Sequence, residues 1–483
     1  MLYESELDSA LQEIVNRWEI PGLSVGVVQD GEIVYLKGFG VQSLETRVPV
    51  TTDSLFCVAS VSKTFVATAV MQLAERGEVD LDAPLVQYLP YFALDDERYP
   101  QITIRQVLGH TSGMPDFDEF AYNDLWAHPE YDAGASERYV RGLRDRKLIA
   151  NPGERFQYSN IAYNVLGDLI AKVSDTSFEV YMKEHILIPA GMPHSTFLME
   201  EVSSELLAVP HLRAPERMVS PIYPYHRADA PSSALHANAL EMCHWGMMCL
   251  NRGSLNGRDI LQPAGFELMW SPVVKRGYPP LYEEMGLGWN LGRYGGEKTV
   301  SHGGMGAGLT DFLAILPEQA RAAIVMCNEE SFAISQTRRA VLDAMVGQAP
   351  QAGKVSWVVP ISQALVEGGI EAAYARYAAL KDGGSKDVFF DPDCLISLAL
   401  HLMMVNKTDL VIDVLGLNLH AFPEHAYSYV CLAKAYLEKG KVGQAEESLL
   451  KAVAIDPDDA FAAGLLEKIT MNRQAASTGK RSY

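Results

Sequence analysis

The chain has 483 residues, of which 61 are acidic and 40 are basic, so its formal charge at pH 7 is −21. This acidity argues against a nucleic-acid partner, because contacts to a phosphate backbone require clustered cations. Hydrophobic residues make up 48% of the chain, which excludes intrinsic disorder and a small disulfide-stapled scaffold, and the length predicts two or three domains.

The sequence predicts neither a membrane span nor a leader peptide. The longest apolar stretch, 395–405, is interrupted by Ser397 and His401 and is far shorter than the roughly 20 residues of a spanning helix. The first residues carry several carboxylates where a signal peptide would begin with basic residues. The six cysteines form no CxxC pair, so we expect buried free thiols. A soluble, cytoplasmic protein is expected, unless a leader precedes this sequence.

A β-hairpin is predicted near the N-terminus. Two β-branched runs, 24–28 and 33–36, are joined by Asp30 and Gly31, a dipeptide suited to a tight hairpin turn. Over 64–77 the apolar spacing becomes that of a helix, with a glycine at its end as the expected stop.

Helices and loops are expected from there to about residue 290, and strand patterns return near the end of the first domain. These patterns occupy 299–302, 312–316 and 322–327, the middle one ending at a proline. The predicted domain, 1–347, therefore has a sheet built from strands at both of its ends, enclosing a helical insert.

A second, all-α domain is predicted at 360–474, after a linker at 348–359 and before a flexible tail at 475–483. Pro423 and Pro457 lie 34 residues apart, and the intervening copy resembles a tetratricopeptide repeat (TPR). Its matching positions are Tyr429, Leu432, Ala433, Tyr436, Ala445, Leu449 and Ala452. Such repeats form binding surfaces, so a protein partner or self-association is expected there. A plain pair of helical hairpins is the alternative to the repeat assignment, and packing on the first domain as a structural cap is the alternative to partner binding.

One candidate nucleophile lies at the start of the 64–77 helix. Ser60 and Lys63 are three residues apart, so on a first helical turn the amine can reach the hydroxyl, and the helix N-terminus favours an alkoxide. The spacing is not specific by itself, because Ser448 and Lys451 repeat it inside the predicted repeat. An isolated match of this kind favours an N-cap serine beside a solvated lysine.

Two further motifs follow in order. Tyr158-Ser-Asn160 precedes a predicted helix, and His302-Gly303-Gly304 ends a predicted strand. With the Ser-x-x-Lys motif they resemble the serine β-lactamase and penicillin-binding-protein superfamily. The most similar branch comprises class C β-lactamases, family VIII carboxylesterases, and D-aminopeptidase-like or D,D-carboxypeptidase-like hydrolases. Further matching phrases lie at 20–24, 108–113, 151–154 and 286–289.

This resemblance covers about residues 5–345 and implies an α/β (α+β) fold with an antiparallel sheet flanked by helices. It implies that Ser60 is the acylated nucleophile and that Lys63 and Tyr158 share the role of general base. Asn160 would bind the lysine or a substrate carbonyl. A buried lysine beside a phenol can remain neutral and accept the serine proton. Taken singly, Asn160 is instead a candidate helix N-cap.

The third motif departs from the superfamily pattern. Class C β-lactamases have lysine and many family VIII esterases have tryptophan where this chain has His302, a group that is largely neutral at pH 7. The departure favours the peptidase-like and esterase-like members. By the resemblance, Gly303 and Gly304 let the strand approach the substrate, and the amides of Ser60 and Met305 form the oxyanion hole.

Other catalytic arrangements are not supported. His110 lies near a serine, but the segment has the character of a capped turn, and no serine occupies a GxSxG elbow. The histidines include no HExxH, and no glycine cluster fits a nucleotide-binding loop, so we expect no metal and no cofactor.

The sequence therefore predicts a serine hydrolase that forms an acyl-enzyme with a small ester or a short peptide or amide, D-configured ones included. At most weak β-lactam hydrolysis is expected. The alternative is a non-catalytic, penicillin-binding-like ligand-recognition module whose repeats recruit a partner. The intact Ser60, Lys63 and Tyr158 argue for the enzyme.

Overall fold

A computed structural model describes the protein over residues 3–117, 124–330, 332–384, 386–457 and 459–477. The chain folds into two compact units. The first comprises Met1–His211 and Ile222–Ala352, and the second comprises Leu212–Pro221 and Gly353–Tyr483. The second unit thus includes a segment from within 1–347, which the sequence boundaries assigned to the first domain.

The first unit is built on an eight-stranded antiparallel sheet with the order β2-β1-β8-β7-β6-β5-β4-β3. Its strands are β1 (Gly22–Gln29), β2 (Glu32–Gly40), β3 (Val274–Tyr278), β4 (Tyr282–Met285), β5 (Asn290–Tyr294), β6 (Glu297–Gly306), β7 (Leu309–Leu316) and β8 (Arg321–Cys327). Two short pairs join Phe56–Cys57 with His236–Ala237 and Ser254–Leu255 with Arg258–Asp259.

The predicted hairpin and the closure of the sheet are both confirmed. Asp30 and Gly31 have positive φ angles of 53° and 80°, as a tight hairpin turn between β1 and β2 requires. β1 also pairs with β8, from Leu23 opposite Cys327 to Gln29 opposite Arg321. Strands from the two ends of the domain therefore lie side by side.

Helices pack against this sheet and fill the insert. The longer ones are α1 (Glu4–Trp18), α2 (Ser62–Glu75), α3 (Asn160–Ser174), α4 (Ala239–Leu250) and α5 (Ala333–Met345), and the shorter ones are Ile104–Leu108, Ala135–Arg141, Phe178–Tyr181, Ala230–Ser233 and Pro263–Met269. Every residue of α2 from Ser62 to Leu73 is buried, so this helix lies inside the core instead of presenting one apolar stripe to it.

Some elements were not predicted. α1 begins the domain, and Leu7, Leu11, Ile14 and Trp18 form its buried face. Strands β3 and β4 lie in the region that the sequence assigned to helices and loops. Each of the six cysteines is buried and outside any disulfide bond, as expected.

The second unit is predominantly helical, which confirms its predicted all-α class. Its helices are α6 (Val358–Asp382), α7 (Pro392–Met404), α8 (Thr408–Ala421), α9 (Ala426–Glu438), α10 (Val442–Ile455) and α11 (Ala460–Ser477), and α6 is interrupted at Gly368 and Gly369. A short parallel strand pair joins Val355–Ser356, inside the predicted linker, to Val388–Phe389. No helix among the described residues is long and apolar enough to cross a bilayer.

Two helix pairs of this unit recur at the predicted spacing: α7 and α9 begin 34 residues apart, at Pro392 and Ala426, as do α8 and α10. Between them, Asn418 is buried and donates from Nδ2 to the Pro392 carbonyl and to Ser428 Oγ. The TPR assignment and the partner role remain predictions.

Candidate active site

Ser60 lies on a single 3₁₀ turn, Ala59–Val61, immediately before α2. Ala59 has a φ of 41°, a left-handed conformation that residues with a Cβ seldom adopt. The turn is fixed by backbone hydrogen bonds, from the Val61 amide to the Val58 carbonyl at 3.0 Å and from the Val58 amide to the Leu235 carbonyl at 2.8 Å. Ser60 is therefore presented by a strained but well-anchored turn.

Lys63 is fully buried on the first turn of α2, directly behind Ser60. Its Nζ contacts three oxygens: Ser60 Oγ at 3.0 Å, Asn160 Oδ1 at 2.6 Å and the Ser232 carbonyl at 2.7 Å. Burial lowers the pKa of Lys63 to about 7, although the charges of Asp116 and Asp229 act to raise it. A substantial fraction of this amine is therefore neutral near pH 7.

Asn160 connects the lysine to a carboxylate. Its Oδ1 accepts from Lys63, and its Nδ2 donates to Asp116 Oδ2 at 2.9 Å. Asn160 is not the N-cap of α3, because that role falls to Ser159, whose Oγ accepts from the Ala162 amide at 3.1 Å. Because Ser159 caps the helix, the Asn160 side chain is available to accept a hydrogen bond from Lys63.

Tyr158 lines the same cleft as Ser60. Its ring centroid lies 5.0 Å from Lys63 Nζ. Burial raises the pKa of Tyr158 above its usual value, and the Ser60 hydroxyl offsets only part of this effect. The phenol is therefore protonated at neutral pH.

His110 supports Tyr158 and lies behind it. The two rings stack with centroids 4.4 Å apart, and His110 Nδ1 accepts from the Ser159 amide at 3.2 Å. Burial, reinforced by the charge of Lys63, lowers the pKa of His110 well below its usual value. The residue is a neutral packing element of a turn, with a φ of 53°.

The third motif lies on β6. Beyond Ser301, which pairs with Asn290 of β5, residues 302–306 pair with β7. No described strand pairs with their other backbone edge, which faces the cleft. His302 and Gly304 are buried, Gly303 is partly buried, and Met305 is 64% exposed.

Close packing explains the glycine at 304. A Cβ there would lie 2.6 Å from the Val58 carbonyl oxygen and 3.2 Å from Ala59 Cβ, whereas at Gly303 the nearest atom would be 3.6 Å away. The strand therefore lies directly against the turn that carries Ser60. Burial, together with the charge of Lys63, lowers the pKa of His302 to about 3. The imidazole is neutral, as the sequence suggested.

The cleft has a volume of about 400 Å³, and the predicted Ser60, Tyr158, Asn160, His302, Gly303, Gly304 and Met305 all line it. Sequence reasoning missed several other lining residues: Arg276, Tyr282, Asn290, Asp311 and Arg338. Arg276 and Tyr282 lie on the two strands that were not predicted, so no local pattern pointed to them.

A second group of residues that sequence reasoning missed positions the carbonyl oxygen that accepts a hydrogen bond from Lys63. Asp229 accepts from Asn164 Nδ2 at 2.8 Å, Ser232 Oγ at 2.9 Å and Ser233 Oγ at 2.8 Å. These bonds fix the short helix Ala230–Ser233, and the Ser232 carbonyl then accepts from Lys63. Hydrogen-bonding side chains gathered around one buried carboxylate are invisible in a linear sequence.

The family model described as Beta-lactamase matches residues 7–346. The chain belongs to the β-lactamase family of serine hydrolases. That match spans the first unit with its sheet, the Ser60 turn and the open edge of β6, so the resemblance in the three motifs is confirmed.

Individual relatives are distant. Protein flp of Staphylococcus aureus (strain MW2) is 25% identical over 329 residues, which are 68% of this chain and 64% of that protein. Unguisins hydrolase ungD' of Aspergillus campestris is 29% identical over 341 residues, 67% of this chain and 61% of that protein. The chain thus matches less than two thirds of the length of these relatives.

The sheet and its helices are also similar to a solved structure, the octameric penicillin-binding protein homologue from Pyrococcus abyssi. The TM-score is 0.65 at 28% identity, covering 72% of this chain and 78% of that one.

Proposed function

We propose that this protein is a serine hydrolase that cleaves a small ester or a short peptide or amide through an acyl-enzyme on Ser60. One observation carries the proposal: the Lys63 amine, with its pKa lowered to about 7, lies 3.0 Å from the Ser60 hydroxyl. A relative named as a hydrolase supports hydrolysis as the reaction class.

The hydrogen bonds of Lys63 orient it as a base. A neutral amine has two N–H donors and one lone pair, and the Ser232 carbonyl can only accept a hydrogen bond. The Asn160 oxygen also only accepts, and its amide orientation is set because the Nδ2 faces the Asp116 carboxylate. Both donors are thereby used, and the lone pair is left for the Ser60 proton.

The reaction then proceeds in two halves. As Ser60 Oγ bonds to the carbonyl carbon, its proton moves to Lys63 Nζ, and a proton is returned to the leaving oxygen or nitrogen as its bond to carbon breaks. Tyr158, protonated and in the same cleft, is placed to deliver that proton and to be reprotonated by the lysine. In the second half, water attacks the carbonyl carbon of the acyl-enzyme ester, and its proton passes through Tyr158 to Lys63. Lys63 returns a proton to Ser60 Oγ as the bond between Oγ and the acyl carbon breaks.

The open edge of β6 supplies the remaining groups. The amides of Ser60 and Met305 serve as the oxyanion hole, where each such donor is worth roughly 10²- to 10³-fold in rate. Close contact between Gly304 and the Ser60 turn supports this pairing, since it places the two backbone segments side by side. A neutral His302 in place of a fixed cation supports at most weak hydrolysis of β-lactams.

The test combines covalent labelling with turnover. Intact-mass measurement after mixing with a p-nitrophenyl short-chain ester, a D-alanine p-nitroanilide and a chromogenic cephalosporin should show an acyl adduct and turnover for at least one. Ser60→Ala should abolish both. Ser448→Ala is the matched control, because Ser448 belongs to the second Ser-x-x-Lys match and its hydroxyl donates to the Gln444 carbonyl of its own helix.

Full activity in Ser60→Ala would refute the mechanism. Absence of any adduct across the panel and a wider set of esters and amides would favour the non-catalytic ligand-recognition module.

A further inference from the structure

Asp311 is an acidic residue in the middle of a fully buried strand. It lies on β7, where every residue from Leu309 to Leu316 is buried and where Thr310 is the only other polar residue. Asp311 is 2% exposed, and it lines the Ser60 cleft. No step of the proposed mechanism uses its carboxyl group.

This carboxyl group is buried without compensation. Among the described residues, neither of its oxygens has a hydrogen-bond partner. Buried polar side chains are nearly always paired, so an unpaired one in a native structure needs an explanation. An isolated buried carboxylate is far more costly than the neutral acid, so the group keeps its proton. In agreement, burial raises the pKa of Asp311 well above its usual value, although the Cys327 amide acts against this.

Asp311 lies beside the backbone of the proposed oxyanion hole. It pairs with Gly304 across β6 and β7, so its side chain lies on the face of the sheet from which a side chain at 304 would project. A Cβ at Gly304 would lie 3.1 Å from Asp311 Cβ and 3.2 Å from Ala59 Cβ. The carboxyl group is therefore close to the peptide units that carry the proposed oxyanion donors, the Ser60 and Met305 amides.

Three other titratable side chains of the described chain lie around Asp311. Burial raises the pKa of Cys57 to about 12 and that of Tyr223 well above its usual value, and the charge of an ionised Asp311 acts in the same direction on both. His302 lies diagonally opposite on β6, and burial lowers its pKa to about 3. All three are uncharged at neutral pH, so none of them supplies a counter-charge.

A negative charge at this place would oppose the reaction. Acyl transfer places a negative charge on the former carbonyl oxygen in the transition state, and the two amides stabilise that charge. One strand spacing of about 5 Å and one hydrogen bond of about 3 Å put an ionised Asp311 roughly 8 Å from this oxygen. At an effective dielectric constant of about 20 to 40, repulsion over that distance slows acylation roughly 5- to 50-fold.

We propose that Asp311 is a positioning residue that acts on the oxyanion hole through its charge state. Ser60 is acylated while the Asp311 carboxyl group is un-ionised, and acylation slows when rising pH removes that proton. This inference rests on the proposed hydrolase function of the same cleft. The alkaline limit of activity then belongs to a buried group that does not touch the substrate.

The test is the pH dependence of kcat/KM for a substrate of the ester, anilide and cephalosporin panel that the full chain turns over, after subtraction of the Ser60→Ala rate at each pH. In the wild type, kcat/KM should fall by roughly 5- to 50-fold from neutral to alkaline pH. In Asp311→Asn, which has nearly the same shape and cannot ionise, this fall should be absent. Each profile is normalised to its own value at neutral pH, so a uniform loss of activity does not enter the comparison.

Two matched controls accompany this variant. Cys57→Ser removes the neighbouring thiol and keeps a donor for the Ser233 carbonyl, to which Cys57 Sγ donates at 3.2 Å. Asp168→Asn removes another buried carboxyl group whose pKa burial raises, one that lies on α3 and accepts from the Tyr91 hydroxyl at 2.7 Å. Both controls should retain the wild-type fall. Thermal melts across the same pH range establish that each variant is folded.

Infrared difference spectra between the wild type and Asp311→Asn report on the proton itself. The carbonyl band of an un-ionised carboxyl group should be present at neutral pH and should disappear over the pH range in which kcat/KM falls. A band that persists after kcat/KM has fallen would assign the fall to another group and overturn the proposal.

The outcomes separate this proposal from the hydrolase itself. Ser60-dependent turnover whose alkaline fall is missing in the wild type, or persists in Asp311→Asn, would overturn the role of Asp311 and leave the hydrolase standing. If Ser60 turns over no substrate, the hydrolase proposal fails, and the infrared band decides the charge state. Its presence at neutral pH supports an un-ionised Asp311, and its absence overturns it.

Discussion

The carboxylate of Asp116 should set the pH at which Lys63 becomes an effective base. Asp116 Oδ2 accepts from Asn160 Nδ2 at 2.9 Å, and Asn160 Oδ1 accepts from Lys63 Nζ at 2.6 Å. Asp116→Asn removes the negative charge and keeps an oxygen that can accept from Asn160. The substitution therefore changes the electrostatics of the lysine with little change in its contacts.

The size of the effect follows from the distance. Two hydrogen bonds in series across one amide separate the charges by roughly 7 Å, and at an effective dielectric constant of about 20 this gives roughly 2 kcal/mol, or between about one and two pK units. The sign follows from the charge: the carboxylate stabilises the ammonium form and raises the pKa of Lys63, now about 7. Its removal lowers that pKa, so the neutral amine persists to lower pH.

The assay is the pH dependence of kcat/KM for a short-chain p-nitrophenyl ester, followed at the isosbestic wavelength of p-nitrophenol. The ascending limb should lie near pH 7 in the wild type, and in Asp116→Asn it should move to lower pH by about one to two units. Asp95→Asn is the matched control, because Asp95 is exposed and pairs with Lys147 at 3.5 Å. An unmoved limb in Asp116→Asn, or one moved to higher pH, would refute the assignment of Lys63 as the base.

Three further predictions concern groups around Ser60. Tyr158→Phe should slow turnover by about 10²-fold or more without changing the thermal melt, and an undiminished rate would exclude the phenol from proton transfer. Gly304→Ala should lower kcat/KM far more than Gly303→Ala, because its methyl group would lie 2.6 Å from the Val58 carbonyl oxygen; equal losses would contradict the packing argument. Asp229→Ala should lower the free energy of unfolding in urea by about 3 to 5 kcal/mol, since it leaves several buried donors unpaired, and a loss below about 1 kcal/mol would disprove that role.

The sequence predicted the site by two routes, local geometry and the order of motifs in a known superfamily. Ser60 lies on the turn that leads directly into α2 and Lys63 lies on the first turn of that helix, so their contact follows from the three-residue spacing. Tyr158 and His302 lie far from them in the sequence, and only the order of motifs in a known superfamily brought them together. The resemblance implied that Asn160 binds the lysine or a substrate carbonyl; its Oδ1 contacts Lys63, and the helix cap is its neighbour Ser159.

The parts that the sequence did not predict depend on the sheet. Arg276 belongs to a mostly exposed strand without alternating apolar residues, and that strand forms through pairing with β4 instead of through burial. α1 was missed for a different reason: its apolar residues do recur at helical spacing, but the acidic residues between them were weighed only against a leader peptide. The sequence of α1 therefore has the periodicity of its element, whereas the sequence of β3 does not.

The segment Leu212–Pro221 has a consequence for how the chain is made. Its partners in the second unit are distant: the Arg213 amide donates to His401 Nδ1, 188 residues later, and Lys407 donates to the Ala214 carbonyl, 193 residues away. At a synthesis rate of roughly 5 to 20 residues per second, these partners leave the ribosome roughly 10 to 40 seconds after the segment. The helical unit is therefore completed by a piece of chain that is translated in the middle of the first unit. Cutting the chain after residue 346 would separate that piece from its hydrogen-bond partners instead of removing an independent appendage.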